Sequence, residues 1–248
     1  MLVAAIYDIH GNLPALEAVL EDIRLADVGQ VVVGGDVVLG PMQNEALERL
    51  LALDLPVQFI QGNCEVAVLA EISGNPVGYL PEQVREVVRW SAKDLRPKLG
   101  NLLVAWPKTL RLQSPAFGNV LFCHGTPRNE NEYFTRLTPE ASLLPIFDGL
   151  DVPVVICGHT HMQFDRMIGR TRVINAGSVG MPFGEPGAYW LLLGNTIELR
   201  HTPYDLAKAA DRVRATSYPQ AEDFAVNNIL KPPSEEHMLE LFTRITVK

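Results

Sequence analysis

The residues able to do chemistry in this chain of 248 residues sit where apolar runs stop. Five runs end in, or lead within a few residues to, Asp, Asn or His, in the blocks Asp8-Ile9-His10-Gly11-Asn12, Gly34-Gly35-Asp36, Gly62-Asn63-Cys64-Glu65, Cys123-His124-Gly125 and Gly158-His159-Thr160-His161. Brought together, the blocks would offer three imidazoles or more, two carboxylates and an amide oxygen. That donor set suits two adjacent divalent first-row ions, because imidazole favours Zn, Fe, Ni or Mn while the oxygens keep the site moderately hard. Asp8 and His10, like His159 and His161, are two residues apart, which directs both side chains to one side of an extended chain. Each block alone has a plainer reading: a loop pair or helix cap, a turn, a hydrogen-bonded core histidine. Four of the six histidines and two aspartates at strand exits, in this order, are not explained that way.

The elements that must position these blocks follow from the apolar pattern. Residues 2–7, 30–33, 57–60, 119–123 and 152–157 read as buried strands, rich in Val, Ile and Leu and bounded by Gly, Pro or Asn. Residues 14–26 and 44–53 place apolar side chains at helical spacing, with Pro14 suited to a first turn. Alternating strand and helix predicts an α/β core of largely parallel strands, whose ligands gather beyond the strands' carboxyl ends. Residues 65–105, with 81–94 clearest, read as a helical cover. Beyond residue 165, short strands at 171–174, 188–193 and 196–201 suit antiparallel pairing in a second sheet packed on the first. The tail, 204–248, reads as a helical extension with helices at 205–215 and 234–243, joined by a stretch broken at Pro219 and at Pro232-Pro233. There are no repeats or linkers, so one domain over 1–248 is expected.

Composition narrows the partners. With 47% hydrophobic and 20% charged residues the chain is long enough to bury a sizeable core. A net charge of −8, with no Lys or Arg cluster, argues against duplex nucleic acid as a partner, and an anionic substrate would need a local positive centre. Cys64, Cys123 and Cys157 are an odd number in apolar surroundings, as expected of reduced thiols. The apolar start meets Asp8 before a signal core is complete, and no apolar run reaches the roughly 18 residues of a membrane helix. A soluble, cytoplasmic protein without a membrane partner is expected.

The five blocks together resemble the signature of the calcineurin-like metallophosphoesterase superfamily, spanning residues 8–161 in the family's order and spacing. His124-Gly125-Thr126-Pro127-Arg128, leading to Tyr133, and Asn175-Ala176-Gly177-Ser178-Val179-Gly180 are similar to a small prokaryotic branch of it, extending the resemblance to about residue 205. The resemblance implies a four-layer α-β-β-α sandwich with two mixed central sheets. It implies that Asp8, His10 and His161 hold one metal, that Asn63, His124 and His159 hold the other, and that Asp36 bridges them. The metals would be two divalent ions, manganese first, with iron, zinc or nickel as alternatives.

The implied activity is hydrolysis of small phosphodiesters or nucleotides by a metal-bridging hydroxide, with Asp36, Asn63 and His124 in the catalytic set. One departure falls in the third block, where many members have His and this chain has Cys64. That position is commonly the proton donor to the leaving group, and a thiol of ordinary pKa near 8.5 can donate at neutral pH but lacks an imidazolium's charge. Arg128, Tyr133 and Asn12 are candidate substrate contacts. Other readings are a dinucleoside polyphosphate hydrolase, a phosphomonoesterase, a metal-dependent amide or lactone hydrolase, or a non-catalytic scaffold; all seven ligand positions being filled speaks against the last.

Overall fold

The computed structural model describes residues 1–75, 77 and 80–244. Two five-stranded sheets form its centre. The first runs β10 (Ile197–Thr202), β9 (Ala188–Leu193), β1 (Val3–Ile6), β2 (Gln30–Val33), β3 (Val57–Phe59). The second runs β4 (Thr109–Ser114), β5 (Gly118–Cys123), β6 (Val154–Cys157), β8 (Thr171–Asn175), β7 (Phe164–Ile168). Strands β1, β2 and β3 are parallel, as are β5, β6 and β8; β9, β10, β4 and β7 add antiparallel pairs. Both sheets are therefore mixed, as the resemblance implied.

The layers follow from the two-residue side-chain alternation of strands. Val3 and Ala5 of β1, Tyr7 just after it, Val32 of β2, and Leu191 and Leu193 of β9 meet Val120, Phe122, Val154, Ile156 and Ile174 of the second sheet in one buried cluster. Their neighbours Ala4, Ile6, Val31, Val33, Trp190 and Leu192 face outward onto α1 (Leu13–Leu25), α2 (Gln43–Leu51) and α7 (Leu206–Arg214). Leu121, Cys123, Val155, Cys157 and Val173 turn the other way, onto α6 (Glu140–Phe147). Helix, sheet, sheet and helix are thus four layers held by apolar burial, worth about 1.5–3 kcal/mol for each large side chain. Tyr7 pins the middle: fully buried, its hydroxyl donates to the Ile156 carbonyl at 3.0 Å across the sheets. Its ring fits because residue 34 is glycine, where a Cβ would lie 1.9 Å from Tyr7 Cε1.

Residues 63–104 carry α3 (Asn63–Ile72), α4 (Glu82–Asp94) and α5 (Pro97–Val104), which seat Val68, Val87, Leu95, Leu99 and Leu103 in the first sheet's outer core. The tail continues from α7 through α8 (Ala221–Phe224), a wide π turn at Ala225–Leu230, and α9 (Glu235–Thr243). Among the described residues no helix is long and apolar enough to cross a membrane.

The strands after residue 165 depart from expectation. They do not form one second sheet: β8 pairs parallel to β6, while β9 and β10 extend the first sheet beside β1. Their alternating apolar faces fit either partner, and the fold divides them.

Candidate metal centre

Because β1, β2, β3, β5 and β6 are parallel within their sheets, their exits fall at one edge. The loop after β1 is laced to the loop after β2 by three bonds: Asp8 N to Gly35 O (3.2 Å), His10 N to Asp36 O (2.9 Å) and Gly11 N to Val37 O (2.9 Å). The His159 amide donates to Asp8 Oδ2 at 2.8 Å, and the Cys64 amide to Asp36 Oδ1 at 2.8 Å. Each aspartate therefore fixes a neighbouring loop with one oxygen and turns the other toward the shared space.

The backbone at these positions is left-handed: φ is 53° at Asp8, 46° at His10, 53° at Asp36, 68° at His159 and 58° at His161. The two-residue spacing does not place these pairs on extended chain. The paired residues converge through left-handed turns, not along extended chain, and each such turn costs a non-glycine residue of order 1–3 kcal/mol. Asp and His tolerate it better than most side chains, and the laced loops hold it.

Convergence is close. Atoms able to ligate from Asp8, His10 and His161 lie within 4.8 Å of one another, and so do those from Asp36, His124 and His159. A third set within that limit is His10, Asp36 and Cys64. His161 Nε2 lies 3.3 Å from both Asp8 Oδ1 and His10 Nε2. His124 Nε2 lies 3.3 Å from Asp36 Oδ2 and 3.0 Å from Asn63 Oδ1. His10 Nε2 bridges the groups, 3.9 Å from Asp8 Oδ1 and 3.8 Å from Asp36 Oδ2.

Two further features fit the donor set to metal ions. His124 Nδ1 is 2.9 Å from the Gly34 carbonyl and His161 Nδ1 is 2.7 Å from the Met181 carbonyl. A carbonyl only accepts, so both Nδ1 atoms carry hydrogen and both Nε2 atoms face the centre, as outer partners of ligating histidines do. Buried His159 Nε2 has no hydrogen-bond partner among the described residues, and Asp8 Oδ1 is approached by His161 Nε2 at 3.3 Å. A buried polar atom without a partner is costly and calls for a ligand.

Electrostatics sort the imidazoles. Burial holds His10 down to about 4, and burial together with the charge on His124 holds His159 down to about 3. Burial also opposes charge on His124, but the Asp36 carboxylate outweighs it and lifts the ring to about 10. His161 is raised in the same way, Asp8 overcoming burial. Conversely, Asp8 and Asp36 stay below the usual carboxylate range, with burial overcome by His161 and His124 respectively. The rings facing carboxylates, His124 and His161, are thus favoured in the charged form, while burial disfavours charge on His10 and His159.

The four other expected residues are placed as follows. Cys64 donates its thiol to Asp36 Oδ2 at 3.0 Å, and burial followed by the Asp36 charge pushes its pKa well up, away from what a leaving-group acid near neutrality requires. Asn12 is fully buried: Oδ1 accepts from Ala15 N at the start of α1, and Nδ2 donates to Gly180 O (2.9 Å) and the Tyr204 hydroxyl (3.3 Å). Its amide is thereby engaged within the frame. Arg128 is exposed, its guanidinium bonded to Glu132 through Nε and Nη2. Tyr133 packs on the centre itself, its ring 4.2 Å from that of His159.

Glu65 was not anticipated. Fully buried, it accepts from Asp36 N (2.7 Å) and Gly62 N (2.8 Å) on Oε2, and from Val37 N (2.8 Å) and Val38 N (3.2 Å) on Oε1. One carboxylate thereby ties the Asp36 loop to the start of α3. The only sequence hint was an acid three residues past Gly62, as in a capping box. Ser178, singled out in sequence only within the Asn175–Gly180 block and with no role, donates its hydroxyl to Asp8 O and accepts from Met181 N (both 2.8 Å).

Comparison with known proteins gives the family and the fold. The model of the calcineurin-like phosphoesterase superfamily domain matches residues 1–195. An uncharacterized protein of Methanocaldococcus jannaschii is 26% identical over 239 residues, spanning 88% of this chain and 94% of that protein. The crystal structure of a hypothetical protein from Pyrococcus horikoshii OT3 is similar with a TM-score of 0.80 at 20% identity, over 94% of this chain and 99% of that one. The metallophosphoesterase from Sphaerobacter thermophilus is similar with a TM-score of 0.72 at 23% identity, over 91% and 97%. At these identities the two structures establish a shared fold.

Proposed function

We propose that this chain, which belongs to the calcineurin-like phosphoesterase superfamily, is a two-metal phosphoesterase acting on small phosphodiesters or nucleotides. The observation that carries the reading is the pair of ligand clusters, Asp8 with His10 and His161 and Asp36 with His124 and His159, in which His159 Nε2 is buried without a partner. In this reading Asp8, His10 and His161 hold one ion, Asn63, His124 and His159 hold the other, and Asp36 stands between them. Two divalent ions there, manganese first, would supply positive charge for a phosphate and lower the pKa of a bound water.

The chain's own groups do the rest. Asp8 and Asp36 bring only two negative charges, and Asn63 brings none, so the loaded centre stays positive within a chain of net charge −8. Asp36 loses the charge of His124 when that ring gives up its proton, and the Cys64 thiol remains as its hydrogen-bond donor. Neither Cys64 nor any hydroxyl is needed as a nucleophile, so no phosphorylated enzyme should form. With the Cys64 proton directed at Asp36, the leaving group has no strong acid beside it, and substrates with good leaving groups should be preferred.

The test is a parallel assay, with added Mn²⁺, of phosphodiesters, phosphomonoesters, dinucleoside polyphosphates and carboxylic esters. Preference for diesters or nucleotides supports the reading; hydrolysis of carboxylic esters alone, or of nothing despite bound metal, overturns it.

A further inference from the structure

Helix α9 contributes no ligand, yet aromatic rings connect it to both half-sites. Leu239 and Phe242 of α9 are buried with Met162, and Tyr133 and Phe183 pack against them. The Phe242 ring is stacked 5.4 Å from Tyr133 and lies 6.1 Å from Phe183. Tyr133 in turn lies 4.2 Å from His159, and Phe183 is stacked 5.4 Å from His161. The start of the helix is tied to the same two loops: Glu235 pairs with Arg136 at 2.6 Å, and the Gly184 amide donates to Pro233 O at 2.9 Å.

The two histidines do not depend equally on this arch. A hydrogen bond from Nδ1 to Met181 O fixes the His161 ring. For His159, no hydrogen bond among the described residues orients the ring; its backbone amide is held by Asp8, and Nε2 is buried without a partner. The ring torsion of histidine is intrinsically broad, so packing must set it. The packing surfaces are the rings of Tyr133 at 4.2 Å and His124 at 4.9 Å.

We propose that Tyr133, clamped by Phe242, is the positioning residue for His159, so that the C-terminal helix sets the metal affinity of the half-site built from Asn63, His124 and His159. This rests on the two-metal reading above. An aromatic pair is worth about 0.5–1.5 kcal/mol beyond its buried area, which converts to roughly 2- to 12-fold in a binding constant.

The experiment titrates the full-length, metal-stripped protein with Mn²⁺ by calorimetry, alongside melting curves. Phe242→Ala and Tyr133→Ala should each weaken one Mn²⁺ site by about 3- to 10-fold and leave the other within about 2-fold, and Phe242→Tyr should restore it. Phe242→Leu keeps apolar bulk without the ring and carries the same expectation if the alanine variant does not fold. In an Asn63→Ala background, where that half-site is already crippled, Phe242→Ala should add nothing. Unchanged affinities in the variants overturn the proposal, as does equal weakening of both sites with a lowered melting temperature. A wild-type chain that takes up no Mn²⁺ overturns instead the metal reading on which it rests.

Discussion

Asn12 stands beside a ligand block and invites a substrate role, but the structure assigns it to the frame, and Asn12→Ala separates the two. The substitution removes the acceptor for Ala15 N at the start of α1 and the donor to Gly180 O and the Tyr204 hydroxyl, all in a fully buried position. Loss of a helix cap costs about 1 kcal/mol. Leaving the Gly180 carbonyl without its donor adds about 1–3 kcal/mol. The sum, about 2–4 kcal/mol, corresponds to a melting temperature lower by roughly 5–15 °C for a chain of this size. Asn12→Ser, which keeps a cap oxygen, should recover about 1 kcal/mol of it. The assay is thermal unfolding of the metal-free protein followed by circular dichroism, with KM measured on the Mn²⁺-loaded enzyme. Melting within about 2 °C of wild type, together with a KM raised tenfold, would show that Asn12 contacts substrate and that its frame role is misread.

Metal uptake should release protons, because Asp36 holds His124 protonated below about pH 10 and a ligating ring must be neutral. Apparent affinity should therefore rise with pH, by up to about tenfold per unit for each proton displaced; calorimetry in buffers of different ionisation enthalpy would detect this, and a proton count of zero would refute it. Glu65→Ala strips the acceptor from four buried amides and should cost at least about 3 kcal/mol in denaturant unfolding; a loss under about 1 kcal/mol would deny Glu65 its tie between the loops. Asp36→Asn should lower metal content at both sites and activity by at least about a hundredfold, measured by elemental analysis and initial rates; retention of both ions would contradict the shared position of Asp36.

The chemistry was legible because it lies at strand exits, where apolar runs break sharply into Gly, Asp and His. Strands β1, β2 and β6 were legible for the same reason, being buried on both faces. Strands β4 and β7 escaped notice: Thr109–Ser114 and Phe164–Ile168 are sheet edges whose side chains alternate toward solvent, leaving too few apolar residues to form a run. Helix α6 carries Pro145 inside it, which breaks the expected signal. In the site, the two-residue spacing of the ligand pairs pointed to the right convergence by the wrong backbone, since the left-handed turns at Asp8, His10 and His159 are held by bonds between loops. Asn12 and Glu65 carry helix-start signals that do not reveal their bonds to distant loops, and the Phe242 arch joins residues far apart in the chain, which no local pattern marks.

The most direct test of the central claim strips the protein of metal, restores Mn²⁺ stepwise, and follows bound ions per chain together with hydrolysis of a small phosphodiester. Two ions bound per chain, with hydrolysis rising as the second half-site fills, is the expected result. Binding of no ion, or of a full complement with no phosphoester hydrolysed, would contradict the reading of this centre as a two-metal phosphoesterase.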